Sequence, residues 1–125
     1  MVMVRRRGFS SRVLRDPSIL DHPRNGFCYA IVERDSPYIK LGHSNSHPEL
    51  RRRDLQTGNW RQLQLLAYTA HITEAQAHTR FGRWRVSGEW FMLTPELLCE
   101  IERFDWIDTA LHSQLKASMT NAVRL

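Results

Sequence analysis

The stretch that decides the fold runs from Gly26 to Asn59, GFCYAIVERDSPYIKLGHSNSHPELRRRDLQTGN. Phe27 to Val32 is an apolar run ending in β-branched Ile31 and Val32, and Tyr38 to Leu41 is a second short run closed by Gly42. Between them, Glu33-Arg34-Asp35-Ser36-Pro37 is polar and turn-forming, so a hairpin is the economical reading. Strand alternation puts Phe27, Tyr29 and Ile31 on one face and Tyr38, Lys40 and Gly42 on one face of the second strand, which predicts that Tyr29 and Lys40 meet across the hairpin. A helix follows, capped by Ser46 or His47, with Pro48 in its first turn and Gly58 beyond Gln56 as its stop. It carries Arg51, Arg52 and Arg53, which point roughly 100° apart, so no more than one or two of them can face the hairpin.

Downstream, Leu63 to Ala70 suits a third strand, and Thr73 is the expected N-cap of a helix through Phe81. On that helix Glu74, Ala77, His78 and Phe81 recur at helical spacing and share one face. Gly88 breaks the chain before Glu89-Trp90-Phe91-Met92-Leu93, a short strand or turn sealing the core. Pro95 to Phe104 reads as a further helix with Leu97, Leu98, Ile101 and Phe104 as its buried stripe. From Trp106 to Leu125, Ile107, Leu111 and Leu115 at four-residue steps predict a helix packed on the domain or, as a homodimer, on a second copy.

The sequence resembles the GIY-YIG nuclease superfamily, in the branch called the phage open reading frame 172 or meiotically up-regulated gene 113 domain. The resemblance rests on five pieces in order: Tyr29 after Phe-Cys, the Lys40-Leu41-Gly42 triplet, Arg51 followed by Leu55-Gln-Thr-Gly-Asn, Glu74-x-x-x-His78-x-x-Phe81, and Gly88-Glu89-Trp90-Phe91. It departs from the wider superfamily in having Phe-Cys-Tyr for Gly-Ile-Tyr, Lys40 for the second Tyr, and one extra residue between Gly42 and Arg51. The fold it implies is α/β (α+β): a small three-stranded antiparallel sheet flanked by helices, spanning residues 26–93, after a basic arm over 1–25 and before a helical extension over 94–125.

The implied activity is metal-dependent hydrolysis of DNA phosphodiester bonds. Tyr29 is then the base or orienter of the attacking water, Lys40 stands where relatives have a second Tyr, and Arg51 offsets charge on the scissile phosphate. Glu74 holds Mg²⁺ or Mn²⁺, with Glu89 as the competing ligand, and His78 shuttles a proton or orients the phosphate. Each has a plainer alternative: Tyr29 as a core aromatic with a satisfied hydroxyl, His78 as a core hydrogen-bonder, the arginines as a solvated run, and Glu89 as a turn anchor.

Composition fits this reading without naming it. With 42% hydrophobic and 25% charged residues in 125, the chain is an ordinary single globular domain with no apolar run long enough to span a membrane, hence a cytoplasmic location. Its net charge of +5, carried by 16 Arg among 18 basic residues, points to a polyanion, double-stranded DNA before single-stranded. Six Arg stand against Asp16 and Asp21 in residues 1–26, whereas residues 94–125 carry three basic against five acidic groups. The nucleic-acid footprint is therefore expected on Arg5, Arg6, Arg7, His43, Arg52, Arg53, Arg83 and Arg85, with Trp84 between the last two for base stacking. Cys28 and Cys99 form neither a disulfide framework nor a metal spacing and are expected as buried free thiols. A non-cleaving nucleic-acid-binding or regulatory protein, and a protein-interaction factor using the C-terminal helix, are the competing functions.

Overall fold

The computed structural model describes residues 26–124. The expected N-terminal arm, with Arg5, Arg6 and Arg7, lies outside the described residues.

The central hairpin is formed by β1 (Phe27–Glu33) and β2 (Tyr38–Ser44). Its turn places Asp35 at φ 60°, a left-handed conformation that Asp tolerates better than most residues. A hydrogen bond from Ser36 N to Glu33 O at 3.2 Å closes the turn. That turn fixes the register, pairing Val32 with Ile39, Ile31 with Lys40 and Tyr29 with Gly42. Tyr29 thus faces Gly42 directly, and Lys40 is its diagonal neighbour on the same face of the hairpin.

β1 is apolar throughout because both of its faces are covered. Cys28, Ala30 and Val32 point into the main core with Ile39, Leu41, Leu66, Phe81, Phe91, Leu97 and Ile101. Tyr29 and Ile31 point the other way, into a smaller cluster with Leu63 and Tyr68 against which Leu55 and Trp106 pack. The helix α1 (Pro48–Thr57) covers that second face. Its N-cap is His47, whose Nδ1 accepts from Glu49 N at 3.0 Å, and Pro48 occupies the first turn.

β3 (Leu63–Thr69) pairs with the far side of β1, with a bulge that shifts the register between Ala30 and Ile31. The helix α2 (Glu74–Phe81) begins in a reciprocal capping box between Thr73 and Gln76, and buries Ala77 and Phe81. A single 3-10 turn over Gly82–Trp84 then leads into β4 (Arg85–Ser87) and β5 (Trp90–Met92), joined through Gly88 at φ 56°. α3 (Pro95–Ile101), β6 (Trp106–Ile107) and α4 (Thr109–Arg124) complete the described chain.

The class is α+β as expected, but among the described residues the antiparallel sheet has six strands, ordered β4-β5-β2-β1-β3-β6, where three were expected. The additional strands are two or three residues long, too short for an alternating pattern to register in the sequence. α3 stops at Ile101, short of the expected Phe104. Ile107, expected on the last helix, lies on β6 opposite Ala67, because Asp108 caps the helix behind it by accepting from Leu111 N at 3.0 Å. Leu111 is buried in the main core, and Leu115 and Met119 pack against the same cluster.

Candidate functional site

Gly42 is the pivot. A Cβ built there would lie 2.5 Å from Tyr29 Oη and 2.7 Å from Glu89 Oε1, so only glycine lets the phenol and the carboxylate both close on the strand. Tyr29 is 1% exposed, and the Arg51 side chain, from the first half of α1, lies close enough to its hydroxyl to favour the phenolate. The Arg51 Nε is buried without a hydrogen-bond partner, leaving unused donor capacity beside the Tyr29 hydroxyl. Burial holds the Tyr29 phenol above its ordinary pKa, outweighing the opposing effect of Arg51.

Glu89 reaches this point because the β4-β5 hairpin adds to β2: Leu41 N donates to Glu89 O at 2.9 Å, and Lys40 pairs in register with Trp90. The Glu89 side chain lies close to Glu74 at the start of α2, and Glu74 is held above the usual carboxylate range, first by burial and then by the neighbouring Glu89 carboxylate, with His78 and His43 acting in opposition. Lys40 Nζ lies 3.4 Å from Glu89 Oε1 and over the Trp90 ring at 5.1 Å. His78 Nε2 is 3.2 Å from Leu41 O and 3.8 Å from Glu74 Oε2, and the imidazole packs edge-on against Phe91.

Tyr29, Lys40, Arg51, Glu74 and His78 are therefore gathered around Gly42, together with Glu89. The two carboxylates weighed as rival metal ligands are direct neighbours. The alternatives for Tyr29 and His78 also have substance, since Tyr29 is buried in the fold and His78 is within hydrogen-bond distance of Leu41 O. The expected contact residues scatter. His43 lies near enough to Glu74 to favour its charged form. Arg52 is engaged in a two-pronged pair with Glu49 at 2.9 and 2.7 Å and reaches Leu63 O at 3.3 Å. Arg53 is 3.5 Å from the same carboxylate with its side chain 65% exposed. Arg83 stacks on Trp84 at 4.3 Å, the indole also packs on Phe81, and the exposed Arg85 donates to Gly88 O at 2.7 Å.

Sequence reading missed the ring formed by Phe27, His47, Tyr68 and Trp106, in which Tyr68 stacks on Trp106 at 5.3 Å and its hydroxyl is 3.4 Å from His47 Nε2. Burial lowers the His47 pKa. It also misjudged Cys99, which is exposed where a buried thiol was expected, because α3 turns that position outward; Cys28 is buried.

Among the described residues no group of three or more His, Cys, Asp or Glu side chains is placed to hold a metal. Glu74 and Glu89 nevertheless fit a hydrated Mg²⁺, which typically takes only one or two protein carboxylates, and two adjacent like charges gain from a cation. The fold and site define an α+β protein with a central hairpin whose glycine brings a Tyr–Arg pair and a carboxylate pair together. No family model, curated protein or solved structure matches the chain.

Proposed function

We propose that the chain is a GIY-YIG-type DNA endonuclease that hydrolyses phosphodiester bonds of double-stranded DNA with Mg²⁺ or Mn²⁺. The observation that carries this reading is the convergence on Gly42 of Arg51 and Tyr29 with the neighbouring carboxylates Glu74 and Glu89. Phosphodiester hydrolysis needs an oriented water, compensation for charge growing on the phosphoryl oxygens, and help for the leaving oxygen. Arg51 meets the second need, since its buried Nε has a donor to spare. Tyr29, kept protonated by burial, orients the water as a neutral hydroxyl in preference to acting as a phenolate base. His78 fixes the Glu74 carboxylate, and Lys40 fixes Glu89. Glu74 and Glu89 would hold the divalent ion, which when bound supplies Lewis acidity toward the phosphate.

A non-cleaving nucleic-acid-binding protein on the same scaffold is the second reading. The Lys40–Glu89 ion pair favours it, because the ammonium already offsets a carboxylate that a metal would use. Incubation with supercoiled plasmid, with and without Mg²⁺ or Mn²⁺, separates the two. Glu74→Gln is expected to slow metal-dependent nicking by about a hundredfold or more while leaving the mobility shift intact, since it removes an anchor and subtracts a negative charge. If Glu74→Gln and Glu89→Gln both cut like the wild type, the carboxylate pair is not a metal site. A salt-dependent mobility shift with no cutting by the wild type selects the second reading.

A further inference from the structure

The end of the hairpin away from Gly42 carries a second built surface. Trp60, in the loop from α1 to β3, is 86% exposed, the most solvent-exposed large apolar side chain among the described residues. The Arg61 guanidinium lies over its ring at 4.6 Å, and the indole is still open to solvent elsewhere. Arg61 is itself fixed: its Nη1 donates to Asp35 O at 3.1 Å and to Arg34 O at 3.5 Å. Arg34 returns the connection, its backbone N donating to Gln62 O and its Nη1 to Gln62 Oε1, both at 2.8 Å. Asn59 Nδ2 bonds Glu33 Oε2 at 3.1 Å and Arg61 O at 2.8 Å. The β1-β2 turn and the Trp60 loop thus brace each other, and the indole stands on a rigid base.

We propose that Trp60, with Arg61 on its ring and Arg34 beside it, is a stacking platform for an unpaired base of single-stranded nucleic acid. An exposed indole offers a planar face to any base, and an adjacent guanidinium extends that plane and adds charge attraction to the phosphate. The loop from Gly58 to Gln62 carries Arg61 and no acidic side chain, and Arg34 stands on the facing turn with Glu33 and Asp35, so the loop itself presents positive charge to a polyanion. Tyr29 lies four residues from Glu33 at the turn end of β1, about 13 Å at the usual rise, so the platform contacts a part of the nucleic acid distinct from the one lying at Gly42. It is independent of cutting and holds whether or not the chain hydrolyses DNA.

The test therefore uses no divalent metal and no cleavage. Oligothymidylate is titrated into the protein, with binding followed by tryptophan fluorescence and by mobility shift, and blunt duplex serves as the comparison. Trp60→Ala is expected to lose most of the quenching and to bind oligothymidylate about tenfold more weakly, with duplex affinity unchanged. Trp60→Phe, which keeps a stacking face, should recover most of that loss, and thermal melts of both variants should match the wild type. Unchanged oligothymidylate affinity in Trp60→Ala overturns the proposal. So does an equal loss on duplex, or a concentration-dependent dimer of the wild type that disappears in Trp60→Ala and assigns the indole to self-association.

Discussion

Replacing Gly42 with Ala tests the site at its tightest point. The added methyl would meet Tyr29 Oη at 2.5 Å, Tyr29 Cζ at 2.7 Å and Glu89 Oε1 at 2.7 Å. Glu89 is a flexible side chain, 36% exposed, and can swing aside. Tyr29 cannot, because its ring is 1% exposed and packed among Ile31, Leu63 and Tyr68. To restore ordinary contact beyond 3.4 Å the ring must retreat by about an ångström. Overpacking of this kind costs about 1–3 kcal/mol. A loss of that size is therefore expected in urea unfolding, a large share of a domain's usual stability. Under the endonuclease reading, the same displacement of reacting groups should slow nicking by about a hundredfold. Gly82→Ala is the control, since no atom lies within 4 Å of a Cβ there and its φ of −56° is helical; it should be neutral or slightly stabilising. A Gly42→Ala protein as stable as the wild type would refute the claim that the phenol and carboxylate close on that strand.

Three further outcomes can be checked. A thiol reagent near pH 8 should label Cys99 in the native protein and both cysteines only in denaturant, because burial, aided by the charges of Glu74 and Glu89, pushes the Cys28 thiol up to about 12. Glu49 is held below its ordinary value of 4.5, chiefly by its hydrogen bonds to Arg52, so the pair's contribution is present above that value and is lost as pH falls through the lower folded pKa. Solvent screening keeps that contribution to about half a kcal/mol, and Glu49→Gln should flatten the acid limb of a stability-versus-pH curve by that amount. Leu111→Ala should cost about 2–4 kcal/mol in the same unfolding assay, since that side chain is 7% exposed in the main core; an unchanged midpoint would show that α4 is not part of the folding unit.

The hairpin, α1 and α2 were legible because each rests on local chemistry: two apolar runs about a polar turn, Pro48 after a capping residue, and Thr73 with Gln76 three residues on. The outer strands were not, since Arg85–Ser87 and Trp106–Ile107 become strands only by finding β5 and β3. The same distinction runs through the site. Tyr29, Arg51, Glu74 and His78 were singled out by the resemblance, Arg51 through its spacing to Leu55-Gln-Thr-Gly-Asn, while periodicity placed Glu74 and His78 on one helix face. The closeness of Glu74 and Glu89 depends on the β4-β5 hairpin adding to β2, a long-range event with no local signature, so the two carboxylates read as rivals from sequence. Hairpin register likewise depends on turn length, so alternation alone gave the shared face of Tyr29 and Lys40 and left open that Gly42 is the direct partner of Tyr29.

The placement of Glu89 has a thermodynamic consequence. It sits in a turn between two three-residue strands at the sheet margin, whereas Tyr29 and Gly42 lie on the central pair. Phe91 ties β5 into the main core, but β4 is exposed along its length, so the turn at Glu89 can open locally while β5 and the centre stay closed. Such opening carries Glu89 away from Gly42, Glu74 and Lys40, at a cost below that of global unfolding. The fraction of molecules with a complete constellation is then set by the margin of the sheet, and hydrogen exchange at Leu41, whose amide is held by Glu89 O, reports that fraction directly.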